Sequence, residues 1–228
     1  MESTPSRRRR KYDVFLSFRG PDTRKGITSE LYQRLERRGI ETFMDDPDLQ
    51  VGDSISPKLL AAIEESRFAV VILSPNYASS PWCLEELVKI IQCMKETGLR
   101  VMPVFYNVEP CEVRHQMGSF ELKRKPRPQV DVEVREYEEA YGKTEDTLKA
   151  WRAALTEVAN LSGWDSKKFS TDRELVEAIV WKIESKVVYK SSSVDKGFVG
   201  MDSRLDDLLR EYIYPELDEV RIIGIHGM

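Results

Sequence analysis

Phe68-Ala69-Val70-Val71-Ile72-Leu73 is an unbroken apolar run six residues long, rich in β-branched side chains, and Ser74-Pro75-Asn76 follows it at once. A strand with one wet face alternates apolar and polar residues; an unbroken run is expected where both faces of a sheet are covered, as in parallel sheets. Other strands and helices fall into place on either side. Residues 12–18, with Val14-Phe15-Leu16, read as a first buried strand, and Ile40 to Met44 as a second. Val101 to Tyr106 reads as a fourth, and Gly163-Trp164 as a short fifth. Between them the spacing becomes helical. Ile27, Leu31 and Leu35 mark a helix that Gly39 stops, after a tight polar loop over Arg19–Arg24. Ser54-Ile55-Ser56-Pro57 opens a helix burying Leu59, Leu60 and Ile63, and Ser80-Pro81 opens another from about Trp82 to Glu96. Thr147–Leu161, with Leu148, Trp151, Leu155 and Val158 on one face, and a helix carrying Leu175, Ile179 and Ile183 to near Val188 complete the set. Strands alternating with helices at short spacing specify an α/β fold with a mostly parallel sheet and helices on both faces. Ligands of such sheets bind outside the carboxyl ends of the strands. Here those ends are Phe18-Arg19-Gly20, Met44-Asp45-Asp46, Ser74-Pro75-Asn76 and Tyr106-Asn107.

The helix from Trp82 reaches this rim, and its acids face different ways. Leu84, Leu87, Val88 and Ile91 form the buried stripe. Glu85 stands four residues before Lys89, a spacing that suits a solvated ion pair. Glu86 lines up with Trp82, Ile90 and Cys93 at the edge of the stripe. A partly exposed, solubilising glutamate is the plain alternative, because Glu is rarely fully buried. The crevice at the strand ends gives Glu86 something to face.

Composition limits the chemistry. The 228 residues carry 41% hydrophobic and 32% charged side chains, as a soluble globular protein does. The net charge of −4 does not suggest a nucleic-acid binder, and none is expected as a specific partner. Three cysteines, Cys83, Cys93 and Cys111, without paired metal spacing, indicate reduced thiols in a cytosolic compartment. Two histidines, His115 and His226, supply neither a histidine metal site nor a Ser-His-Asp triad, and no metal is expected. No apolar run reaches membrane-spanning length. Arg7-Arg8-Arg9-Arg10-Lys11 reads as a solvated, disordered arm over residues 1–11, with a nuclear-import or anionic-lipid patch as the other reading. The location expected is cytoplasmic, with the nucleus left open. Lys123-Arg124-Lys125-Pro126-Arg127-Pro128 reads as a loop, and Ser191-Ser192-Ser193 as a linker. After it come a helix with Leu205, Leu208 and Leu209 and an apolar strand over 220–225. Gly224-Ile225-His226-Gly227-Met228 has no Gly-Lys-Ser/Thr after it, so it does not make a phosphate loop.

Several stretches, in order, resemble one family. Tyr12-Asp13-Val14-Phe15-Leu16-Ser17-Phe18-Arg19-Gly20-Pro21-Asp22-Thr23-Arg24 is similar to the opening motif of plant TIR domains. Thr42-Phe43-Met44-Asp45-Asp46 resembles their second strand and its loop, and Ile55–Ser66 their second helix. Trp82-Cys83-Leu84-Glu85-Glu86-Leu87 resembles their helix motif. Phe105-Tyr106-Asn107-Val108-Glu109-Pro110, with Val113-Arg114-His115-Gln116, resembles the strand and turn that follow. The resemblance covers about residues 11–187. It implies a flavodoxin-like domain over 12–188 with five parallel strands. Residues 189–228 resemble the segment leading into the nucleotide-binding domain of plant TIR-type immune receptors, whether the chain is a natural short protein or a truncation.

The resemblance also implies NAD+ glycohydrolase activity on self-association, with NAD+ as substrate rather than cofactor. Nicotinamide and ADP-ribose, or its cyclic isomers, would be the products, acting in plant defence and cell death. The family's catalytic glutamate corresponds to Glu86 and not Glu85, in agreement with the helical-face argument. A carboxylate against the ribose can bind its hydroxyls and stabilise positive charge developing there. Phe18, Arg19, Gly20, Pro21, Asp22 and Thr23 stand where the family's first loop meets the nucleotide, joined by Gly52, Trp82 and Cys83. Arg19 suits a phosphate or a structural ion pair; Gly20, substrate approach or the turn itself; Trp82, ring stacking together with anchoring of the helix; Cys83, small packing. Ser29 and Glu30 occupy the self-association face, where the family often has Ser-His. Val51-Gly52 lacks the Arg or Lys the family often places before that glycine, and residues 121–136 look like an insertion at its fourth helix. A non-catalytic adaptor that only recruits other TIR domains is the rival reading. A receiver-type phosphoacceptor would need an aspartate where the third strand ends Leu73-Ser74-Pro75.

Overall fold

The computed structural model describes residues 10–44, 57–122 and 145–191. Five strands, β1 (Tyr12–Phe18), β2 (Thr42–Met44), β3 (Ser66–Leu73), β4 (Arg100–Phe105) and β5 (Trp164–Asp165), form one sheet in the order β2-β1-β3-β4-β5. Every pairing is parallel. The α/β reading and its five parallel strands therefore hold. Contacts divide the chain at Val187/Val188, and the whole sheet lies in the first unit. The arm before Arg10, the loop with Asp45, Asp46, Val51 and Gly52, the stretch 123–136, the linker from 192 and the segment to Met228 lie outside the described residues.

Strand alternation sorts side chains into two cores. Val14, Leu16, Phe18, Val70 and Ile72 pack on one face against α2 (Ser29–Arg37) and α7 (Asp172–Ser191), which supply Leu31, Leu35, Leu175, Ile179 and Ile183. Arg34 of α2 and Arg38, just after it, pair with Glu177 and Glu184 of α7 across that layer. On the other face Phe15, Ala69, Val71 and Leu73 meet α3 (Pro57–Glu64), α4 (Pro81–Glu96) and α6 (Glu145–Asn160). The expected stripe of α6, Leu148, Trp151, Leu155 and Val158, is wholly buried. In α3 Leu59 and Ile63 are buried as expected, whereas Leu60 is half-buried because it leaves the stripe toward the helix flank. A short helix, α5 (Pro110–His115), follows β4 behind a Glu109–Glu112 capping box.

The polar stretch Arg19–Arg24 is not a loop. Gly20–Thr23 is a helical turn, α1, with Pro21 in its first positions, and Arg24–Thr28 continues as a π-turn kinked at Gly26. Turn-forming residues here begin a helix because Asp22 gives the turn an anchor. Its carboxylate takes Arg19 Nη1 at 2.7 Å, Ser74 Oγ at 2.6 Å, Asn76 N at 3.0 Å and Asn76 Nδ2 at 3.3 Å. Thus α1 is tied to the connection leaving β3. At the opposite end of the sheet Arg10 donates to the carbonyls of Ser66 and Thr97, clamping the entry of β1 to the start of β3 and the end of α4.

At the far edge, Pro103 of β4 has no N–H to offer, and β5 pairs only with Val104 and Phe105. The incoming chain presses Gly163 against the proline, where a Cβ would lie 2.2 Å from Pro103 O. Gly163→Ala is expected to destabilise the domain by about 1–3 kcal/mol, read by denaturant melting, because backbone must move to admit the methyl. Asp22→Ala is expected to cost about 2 kcal/mol, about 6 °C in Tm. Burial alone would raise the Asp22 carboxyl, but its bonds from Ser74, Asn76 and Arg19 outweigh that and hold it below its ordinary value. A depressed carboxyl stabilises the fold above its unfolded-state value, so this contribution fades as pH falls through the folded one. The Tm difference between wild type and Asp22→Ala should therefore shrink in acid; a difference independent of pH would exclude this origin.

Candidate functional site

The site lies where the carboxyl end of β1 meets the first turns of α4. Helix α4 starts as its sequence requires: Ser80 caps, its Oγ accepting from Cys83 N at 3.4 Å, and Pro81 occupies the first turn. Starting there fixes the rotation of the helix. Leu84, Leu87, Ile90 and Ile91 go into the core, Trp82 and Glu85 are half-buried, and Glu86 is buried at 9% exposure. The two adjacent acids thus differ as the helical-face argument expects. Lys89, the proposed partner of Glu85, reaches Glu64 of α3 at 2.5 Å.

Glu86 meets β1 at Ser17. The Ser17 hydroxyl donates to Glu86 Oε2 at 3.1 Å and lies 2.8 Å from the hydroxyl of Tyr77, which lies 3.0 Å from the Cys83 carbonyl. Ser17 and Tyr77 are completely buried. Burial, reinforced by the negative charge that Cys83 and Glu86 can carry, holds the Tyr77 hydroxyl well above its usual value, so it stays protonated. Burial and then Glu86 likewise push the Cys83 thiol up to about 12. Cys83 is therefore a small packed thiol whose Sγ–H donates weakly to Phe18 O at 3.6 Å, not a nucleophile.

Next to this network the end of β1 carries Phe18, with the guanidinium of Arg24 stacked 4.8 Å from its ring centroid. Arg19 is half-buried and ion-paired with Asp22 at 2.7 Å. The structural alternative for Arg19 is thus present, and the Asp22 carboxylate is engaged within the protein. Thr23 turns inward, donating to Arg19 O and accepting from Thr28, while Pro21 is exposed and Gly20 half-buried. Phe18, Arg19, Cys83 and Glu86 are brought together; Asp22 and Thr23 brace the turn from behind; Gly52 lies outside the described residues. Sequence reasoning did not single out Ser17, Tyr77, Ser74 or Arg24. A signal existed for Ser17: it is a hydroxyl inside an apolar strand, two residues from Phe15 and so on the same face.

On α2, Ser29 donates its hydroxyl to Arg24 O, and Glu30 lies 3.7 Å from Arg34. Among the described residues no group of three or more His, Cys, Asp or Glu side chains is arranged to hold a metal ion, and no helix is long and apolar enough to cross a membrane.

Comparison with known proteins agrees with this architecture. The TIR-domain family model matches residues 11–201. Disease resistance protein RPV1 of Vitis rotundifolia is 44% identical over 227 residues, covering 99% of this chain and 15% of its own length. TMV resistance protein N of Nicotiana glutinosa is 42% identical over 228 residues, covering all of this chain and 19% of its own length. The chain thus spans less than a fifth of either relative. Among solved structures, the TIR domains of the activated Roq1 resistosome, which directly recognizes the pathogen effector XopQ, are similar at 46% identity and a TM-score of 0.62, over 76% of this chain and 99% of that one. With the parallel five-stranded sheet, the buried acid on α4 and a family match over most of its length, this chain belongs to the TIR-domain family.

Proposed function

We propose that this chain is a signalling TIR domain of a plant immune receptor that cleaves NAD+ at the nicotinamide–ribose bond when copies self-associate. The observation that supports this reading is a buried carboxylate, Glu86, held by the Ser17 hydroxyl at the carboxyl end of a parallel sheet. In the reaction the bond between ribose C1′ and the ring nitrogen breaks, and its electron pair returns to the nicotinamide ring, which leaves neutral. Positive charge develops on the ribose; water closes on C1′ and releases a proton to solvent, or a nucleophile within ADP-ribose closes there and loses its proton in the same way. A carboxylate as little exposed as Glu86 stabilises that charge more strongly than a solvated one. Because the leaving ring starts as a cation, no strong acid is needed, and Cys83 and Tyr77 supply none. Trp82, half-buried one turn before Glu86, is an aromatic surface on which a ring would stack, and the Arg24–Phe18 pair borders the end of β1.

The rival is an adaptor that works by TIR–TIR contact alone, inside the cell. Both readings need association between copies, and on that face Ser29 and Glu30 engage Arg24 and Arg34 of their own chain.

Concentrated protein with a crowding agent is expected to release nicotinamide from NAD+. Glu85→Ala should retain that activity, while Glu86→Ala should fall about 100-fold or more. If all three proteins associate and none consumes NAD+, the adaptor reading replaces the enzyme.

A further inference from the structure

Glu86, Ser17, Tyr77 and the Cys83 carbonyl form a chain of three close contacts, 3.1, 2.8 and 3.0 Å long. A serine and a tyrosine hydroxyl each donate once. With Glu86 ionised, two hydrogens serve three contacts, and the favoured arrangement sends both toward the charge: Tyr77 donates to Ser17, and Ser17 to Glu86. With Glu86 protonated a third hydrogen is present. The run can then reverse, the carboxyl donating to Ser17, Ser17 to Tyr77, and Tyr77 to the Cys83 carbonyl, with every contact filled. The Ser17–Tyr77 contact suits either direction.

We propose that Ser17 and Tyr77 are positioning residues for Glu86, a buried hydroxyl relay that reverses direction when the carboxyl gains or loses its proton and holds the side chain in one place throughout. Both ends are rigid. Ser17 belongs to β1 between two paired strands, and the relay's last acceptor belongs to α4, the helix that carries Glu86. Ser17 orients the carboxyl directly, and Tyr77 acts only through Ser17. The kinetic half of this proposal rests on the NAD+ reading; the spectroscopic half does not.

Several charged or titratable groups border the relay: Arg24 lies over the ring of Phe18, next to Ser17, and Glu85 adjoins Glu86 on α4. Tyr77 and Cys83 stay protonated, and Arg19 and Asp22 pair with each other. Glu64 of α3 pairs with Lys89, and Glu157 of α6 with Lys95, both further along α4. A hydrogen bond to the ionised carboxylate is stronger than one to its neutral form. Losing the Ser17 hydroxyl therefore harms the ionised form more, and the carboxyl should titrate at higher pH.

The test compares wild type, Ser17→Ala, Tyr77→Phe and the double variant, each labelled with carbon-13 at glutamate carboxyls, with Glu86→Gln identifying the signal. The amide spectrum reports that each is folded. The Glu86 midpoint should move to higher pH in Ser17→Ala, less far in Tyr77→Phe, and in the double variant no further than in Ser17→Ala. With NAD+, kcat should fall about 10-fold in Ser17→Ala, the worth of one hydrogen bond to a charged group, at unchanged KM. Additive effects of the two substitutions, or a midpoint that stays put in folded Ser17→Ala, would overturn the relay. Shifted midpoints without NAD+ cleavage by any protein would uphold the relay and refute the glycohydrolase. Cleavage that needs Glu86 but is untouched, in midpoint and kcat alike, by either hydroxyl variant would do the reverse.

Discussion

The parallel ladder between β1 and β3 is the constraint on which the rest depends. Six residue pairs, from Tyr12–Ser66 to Phe18–Ile72, fix the register of the two central strands. Because side chains alternate, that register decides which of them face α2 and α7 and which face α3, α4 and α6. A slip by one residue would send Ser17 to the wrong layer and put Leu16 or Phe18 where its hydroxyl now meets Glu86. The site is a property of the sheet register before it is a property of any one side chain.

Burial on both faces brings a second constraint. A parallel sheet covered by helices has little room for polarity, so each buried polar group must find a partner. Ser17, Thr23, Thr28, Ser66 and Ser74 are all buried and all hydrogen-bonded. Two of these bonds lead to acids: Ser17 reaches Glu86, and Ser74 reaches Asp22. Both lie at the carboxyl end of the central strands. One acid braces the backbone, and the other joins the end of β1 to the first turns of α4.

Much of this was legible in the residues. The run Phe68–Leu73 announces a strand covered on both faces, and the phase of Leu84, Leu87 and Ile91 separates Glu86 from Glu85 before any coordinates exist. What was not legible involved contacts far apart in sequence. Arg19–Arg24 has the composition of a turn, and only the bonds from Asp22 to Ser74 and Asn76, 52 and 54 residues away, make a helical start of it. Tyr77 reads as part of a connection; its hydroxyl matters because the turn after β3 folds it beneath α4. Local pattern encodes which face a residue takes, whereas the partner across the fold is encoded by topology.

The buried acid has an evolutionary consequence. A carboxylate removed from water is costly, and replacing a buried polar pair with apolar side chains of similar volume is often neutral or stabilising. Exchanging Ser17 and Glu86 together for such residues would ask nothing of the ladder or of the helix caps. A lineage released from selection on chemistry could therefore drift toward a sturdier scaffold without passing through an unfolded intermediate.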